Sequence, residues 1–264
     1  MADDTQRPVP FRGGGFSPRT SHFVGLATLA LLMVLWWIAA RRGLVSPIAL
    51  PAPEEVFGAL IDLARSGELA RHLGASLSRL AAGFALGALA GIGIGFAIGL
   101  MSLARSAGLP LIAALFPVPK IALLPLFIVW FGIGEASKIA TIAFGAFFPM
   151  AVATYGGVDG VDRSLIRMAQ SFGLPTLSIV RKIVLPGALP AILSGLRIAA
   201  SIAIILIVAA EMIGANTGIG AFILAAGNLM RTDQLVAGVL VLSALGLVIA
   251  GLIGAAERYL LRWR

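Results

Sequence analysis

A chain of 264 residues that is 59% hydrophobic and only 12% charged, with a mean hydropathy of +1.00, lies outside the composition of water-soluble domains and reads as a bilayer protein. The absence of cysteine excludes disulfides, thiolate metal centres and thiol nucleophiles. The net charge of +8 comes from basic residues gathered mainly at the ends of apolar runs, where anionic headgroups account for them, so no nucleic-acid partner is expected.

A helix that crosses the hydrocarbon needs about 20 apolar residues, which leaves room for about six or seven spans. Residues 1–21, rich in Pro, Gly, Arg and Ser, read as a mobile cytoplasmic tail. Residues 23–40 are uncharged and form the first predicted span, with Trp36 and Trp37 suited to an interface; the segment begins too late and runs too long for a cleaved leader. Residues 41–79 mix charge with Leu50-Pro51-Ala52-Pro53 and an amphipathic stretch, which predicts an extramembrane connection.

The second predicted span, 80–104, carries Gly83, Gly87, Gly91, Gly95 and Gly99 at every fourth position. Such a row forms an inclined ridge that another helix can cross closely. The third, 106–132, contains Pro110, Pro117, Pro119, Lys120 and Pro125, and cannot be one regular helix. Irregular backbone at membrane depth is tolerated only against protein or a water-filled cavity, which marks Pro117, Pro119, Lys120 and Pro125 as candidate pathway lining.

A fourth span is predicted over 139–158, a fifth over 189–213 with Arg197 and Glu211 inside its limits, and a sixth over 235–256. Residues 212–230 are uncharged but rich in Gly, Asn and Thr, and read as a half-buried re-entrant piece. Six spans put both termini and the segment 161–186 on the side richer in Arg and Lys, which the positive-inside bias makes cytoplasmic.

No GxxxxGK[ST], HExxH or GxSxG motif occurs, and the spans hold no paired carboxylates or histidine cluster, so neither a catalytic residue nor a metal site is expected. Segment 161–186, VDRSLIRMAQSFGLPTLSIVRKIVLP, reads as two short amphipathic helices around a turn at Gly173-Leu174-Pro175. Its apolar stripe needs either lipid headgroups or a partner protein.

The same segment resembles the EAA loop of the membrane subunits of ABC importers, E-A-A, three residues, Gly, nine residues, I-x-L-P. Ala169, Gly173, Ile183, Leu185 and Pro186 match, Met168 replaces the first Ala, and Arg167 stands where the pattern has Glu. LPAPEEV (50–56), HLGASLSRLAAGFALG (72–87), PVPKIALLPLFIVWFGIGEASK (117–138) and LPGALPAILSGLRIA (185–199) are similar to the nitrate, sulfonate, taurine and bicarbonate permeases, as are RTDQLVAGVL (231–240) and ERYLLRW (257–263).

This resemblance implies an all-α type I importer fold of about six transmembrane helices, one transmembrane domain over 22–264, in the bacterial inner membrane. It implies a homodimer that meets a pair of cytoplasmic ABC ATPase subunits through loop 161–186 and receives a small anion from a periplasmic binding protein. ATP and Mg would belong to the ATPase, with no cofactor on this chain. Aliphatic sulfonate or taurine is the expected substrate, with nitrate or bicarbonate next. A stand-alone secondary transporter or channel is the alternative, but it would want more intramembrane acids.

Lys120 and Glu211 have two readings each: contact with an anionic substrate, or a structural role in which they pair or Lys120 reaches an interface. Pro186 and Pro190 are expected at the junction of loop and fifth span. Arg197 is expected to reach headgroups or helix-end carbonyls, Glu135 and Lys138 to form a surface pair, and Trp130 and Phe131 to sit in an interfacial belt.

Overall fold

The computed structural model describes residues 22–263; the predicted tail, 1–21, and Arg264 lie outside the described residues. Every element among the described residues is helical. The described residues divide into two compact units, one up to Glu55 and one from Val56 on.

In the first unit, α1 (His22–Arg41) stays uncharged until its last residue. The segment after it folds back: Trp36 Nε1 donates to the Pro51 carbonyl (3.0 Å), while Trp37 Nε1 (3.0 Å) and Arg41 Nη2 (2.6 Å) both donate to Glu54 Oε1. Arg41's guanidinium first, then Glu54's own backbone N–H and the Trp37 indole, lower the Glu54 carboxyl to about 2. Pro53 and the acidic Glu54 and Glu55 suit the first turn of α2 (Pro53–Arg65), where four N–H groups lack helical partners.

The second unit is organised on three long helices. α3 (Glu68–Leu100) starts after Gly67, whose φ of 78° turns the chain, and ends at the extended Met101. It therefore begins well before residue 80 and stops short of 104. Its added N-terminal turns carry charge, but Glu68 and Arg71 lie on an exposed side (3.6 Å apart) and Arg79 is paired inside.

α6 (Glu135–Asp159) lies against α3 along the glycine row. A Cβ on Gly83, Gly87, Gly91, Gly95 or Gly99 would fall 2.2–2.7 Å from Ile142, Ala143, Met150, Thr154 or Val158 respectively. Most of those partners recur every fourth residue, so a ridge of one helix fills the groove of the other. On its opposite side α6 meets α9 (Leu185–Gly214) through equally close approaches, Gly157 to Ala188 and Ala191, and Gly195 to Ala153. Ala146, Met150, Ala188 and Ala199 are among the buried residues that share this core.

The proline-rich third segment is broken. α4 (Ser102–Leu115) accommodates Pro110, Pro117 and Pro119 occupy the break, and Lys120–Leu123 makes one tight turn. α5 (Leu124–Phe131) then starts with Pro125 in its first turn, where a missing N–H costs nothing, and the two halves meet at 93°.

After α6 come α7 (Arg163–Ser171) and α8 (Thr176–Ile179). No junction separates α8 from α9: a wider turn over Val180–Val184 joins them, the Leu185 N–H reaching back to the Val180 carbonyl. Pro186 and Pro190 thus sit inside a continuous helix rather than at its start, the widened turn relieving the carbonyls that a proline ring would strike.

α10 (Ile219–Asn228) is apolar but too short to cross a bilayer, and α11 (Thr232–Leu260) closes the unit. By length and apolarity five helical stretches can span, Phe23–Arg41, Glu68–Leu100, Glu135–Asp159, Thr176–Gly214 and Thr232–Leu260, and the bent pair makes a sixth.

Candidate functional site

Two candidate regions stand at opposite ends of α6, about 35 Å apart at 1.5 Å per residue. At its first turn, Arg79 of α3 joins three elements. Its guanidinium donates to Glu135 at the start of α6 (Nη2 to Oε1, 2.7 Å), to Glu211 near the end of α9 (2.7 Å), and to the Thr217 carbonyl ahead of α10. Glu211 also accepts from Ser76 Oγ (2.8 and 2.9 Å) and the Gly220 N–H (3.0 Å), while His72 Nδ1 lies 2.9 Å from the Gly218 carbonyl. His72, Ser76, Arg79 and Glu211 are all buried.

Beside this network lies a polar cavity of about 430 Å³, lined by Arg79, Glu135, Lys138, Asn216, Thr217 and residues 133–134 and 212–215. Glu135 and Lys138 do not pair as expected: Glu135 is taken by Arg79, and Lys138 Nζ donates to the Gly134 carbonyl (2.8 Å). A bidentate guanidinium is the stronger partner for a carboxylate.

Lys120 is elsewhere. Its ammonium donates to the Phe116 and Leu115 carbonyls and sits over the Phe148 ring (4.7 Å to the centroid), capping the carbonyls that the break after α4 leaves open. Phe148 lies 13 residues along α6 from Glu135, about 20 Å. The fold therefore does not bring Lys120 to Glu211, and Glu211's cationic partner is Arg79. Pro117, Pro119 and Pro125 shape the bend around Lys120 rather than the polar cavity.

The sequence points to Glu211 inside a span and to Glu135 and Lys138 as a surface pair, but not to the partnership of Glu211 with Arg79, Ser76 and the His72 end of α3, nor to the burial of Lys138. A signal existed: Arg79 extends the row Gly83, Gly87, Gly91 by one step of four, and Lys138 extends the buried row Ile142, Ala146, Met150, so both lie on faces already assigned to packing.

At the other end of α6, Asp162 caps α7, its carboxylate accepting the Ser164 N–H (2.7 Å), and that bond holds its carboxyl below the usual range. α7 ends at Gly173, whose φ of 67° lets the Gly173 and Leu174 N–H groups bond back to Gln170 (2.9 Å) and Ala169 (3.1 Å). One side of the loop is seated: Ala169, Ile179 and Val184 are buried with Val158 and Val161, and Ile183 packs against them.

The other side is open. Leu165, Met168, Phe172 and Leu177 are 45, 52, 77 and 78% exposed, and Arg167 and Leu185 are exposed as well. Leu165, Met168 and Phe172 share one face at spacings of three and four. Nearby, Arg105 and Arg163 pair with Asp159, and Arg197, expected at headgroups, pairs with Glu257 of α11. Trp130 and Phe131 are exposed at the end of α5 and stack edge to face. Among the described residues no group of three or more His, Cys, Asp or Glu is placed to hold a metal ion.

Comparison with known proteins places this arrangement. The chain is 38% identical over 245 residues to the taurine transport system permease protein TauC of Escherichia coli K12, covering 91% of this chain and 89% of that one. It is 37% identical over 240 residues to the putative aliphatic sulfonates transport permease protein SsuC of Bacillus subtilis 168, covering 91% and 87%. The fold is shared with an inward-facing MetNI methionine ABC transporter (TM-score 0.65, 20% identity, 75% of this chain and 98% of that chain). It is shared also with an amino acid ABC transporter (TM-score 0.56, 15% identity, 91% and 100%).

The spanning helices and the relatives' naming as permeases make this a membrane transport subunit and not an enzyme. Residues 83–262 match the model of the binding-protein-dependent transport system inner membrane component, and the chain belongs to that family.

Proposed function

We propose that this chain forms, with a second copy of itself, the translocation path of an ATP-driven importer for small organic sulfonates of the taurine type. A periplasmic binding protein delivers the substrate at the Arg79 end of α6. A pair of ABC ATPase subunits, which carry the ATP and Mg, engages loop 161–186, and both termini lie on that cytoplasmic side.

The observation that carries the reading is the exposed ridge Leu165, Met168, Phe172 and Leu177 on a loop whose opposite side is packed. An apolar face held rigidly out of the core is a docking surface. Arg167 on the same helix, where the related loop has Glu, offers the groove of an ATPase a cation. The names of the relatives above supply the substrate class.

Purification from native membranes in mild detergent tests the proposal. The chain should bring with it a P-loop ATPase, and reconstituted vesicles should take up taurine or an alkanesulfonate only with ATP and the binding protein. Uptake by the chain alone on an ion gradient would overturn it in favour of a secondary transporter.

A further inference from the structure

The cluster at the first turn of α6 holds two acids and two bases, but they are not evenly matched. Glu211 is saturated by Arg79, Ser76 and the Gly220 N–H, and both Glu135 oxygens face Arg79. Lys138 is left over. Its side chain is only 3% exposed, and among the described residues its ammonium has one acceptor, the Gly134 carbonyl, and no carboxylate within ion-pair distance.

An ammonium has three N–H donors, so two remain without a protein acceptor, and Lys138 lines the cavity of about 430 Å³. A buried cation with open donors is costly unless something fills them. Asn216 and Thr217, on the same wall, add neutral polar groups of the kind that fix orientation. The cavity lies at the end of α6 away from loop 161–186, where substrate would arrive.

We infer that Lys138 is the anchor of a substrate subsite that takes the oxyanion head, sulfonate or carboxylate, of a small organic anion entering this cavity. The inference rests on the import direction proposed above, and it moves the pathway cation from Lys120, which caps two helix-end carbonyls outside this cavity, to Lys138. Arg79 is a positioning residue here: it occupies both carboxylates and so leaves Lys138 free to meet the anion.

The chain has no cysteine, so a single one can be placed at Ala215 on the cavity wall. In phosphatidylcholine vesicles, the full chain carrying Ala215→Cys is treated with an anionic alkylthiosulfonate bearing a sulfonate, or with its trimethylammonium counterpart. Each thiolate forms a mixed disulfide and releases methanesulfinate. Lys138→Gln should lower the ratio of anionic to cationic rates about tenfold, and Lys138→Arg should keep it within about twofold.

With Lys138 intact, taurine or methanesulfonate should slow the anionic reagent. A ratio unchanged by Lys138→Gln, or no protection at tens of millimolar ligand, overturns the inference. Protection by a short-chain phosphatidylglycerol alone would make the cavity a lipid-headgroup site and overturn it too. These readouts need no ATPase, so failure of the importer reading and failure of the subsite are told apart.

Discussion

Arg79 and Glu211 meet at 2.7 Å with both side chains almost wholly buried, 4 and 1% exposed, and through Ser76, Thr217 and Gly220 they tie α3 and α9 to the entry of α10. A pair so placed contributes little beyond an apolar pair of equal size, but breaking it strands a buried charge. Arg79→Met is expected to lower unfolding stability by about 3–5 kcal/mol, and Glu211→Met similarly. The double variant should recover much of the loss. Thermal unfolding in detergent measures all three; equal and additive losses would contradict the stranded-charge account.

The glycine row predicts opposite outcomes for two neighbours. A methyl on Gly87 would sit 2.2 Å from the Ala143 carbonyl oxygen, backbone that cannot step aside, whereas Gly93 has no neighbour within 4 Å. Gly87→Ala should cost about 1–3 kcal/mol from overpacking. Gly93→Ala should gain about 0.5–1 kcal/mol from helix propensity. The same melting assay decides, and a loss at Gly93 would point to a contact outside this chain.

Thr154 is fully buried where Gly95 meets α6, and its hydroxyl has no partner among the described residues. Replacing an unsatisfied hydroxyl by a methyl of similar shape removes a desolvation penalty. Thr154→Val is expected to stabilise by about 1 kcal/mol. A lower melting temperature would mean that the hydroxyl is bonded in the membrane.

Gly173 costs nothing in space if replaced, since nothing lies within 4 Å of its would-be Cβ, but its φ of 67° is one L side chains rarely adopt. Gly173→Leu should cost about 1–2 kcal/mol locally and tilt α7 away from its seat. In the proposed complex, ATP hydrolysis should then proceed without transport, while the spans insert normally. Gly173→Asn, better tolerated with positive φ, should keep most coupling. Wild-type uptake by the Leu variant would refute the role of this turn.

Glu54 sets a pH window for the first unit. Its carboxyl is lowered from 4.5 to about 2, so the bonds from Arg41 and Trp37 contribute fully above the unfolded value and are lost as pH falls through about 2. In a variant whose sole tryptophan is Trp37, emission should stay constant from pH 7 to 4 and change only toward pH 2. Glu54→Gln should show the acid-state spectrum at neutral pH.

Much of this was readable from the chain itself. The four-residue glycine period marked a face of α3 for close helix contact, though not which helix would fill it, and the prolines at 110–125 announced a break, though not its 93° angle. Gly173 marked a turn because its positive φ is a local requirement. Partner choice was less legible: Arg79 reaches residues 56 and 132 positions away, and nothing in sequence says that it takes Glu135 before Lys138 does. The unbroken run from α8 into α9 was hidden for a related reason, since a widened turn that shelters Pro186 has no composition of its own.

The backbone-level seams on both sides of α6 carry a mechanical consequence. Helices that meet where glycine admits a neighbour's carbonyl or Cβ cannot slide by fractions of a residue, because interlocked ridges and grooves repack only in whole steps. α3, α6 and α9 therefore move as one solid body, which carries the seated side of loop 161–186 with it. Any hinge must lie outside it, and the bend after α4 is such a place, whereas the entry to α10 is tied to the body through Thr217 and Gly220.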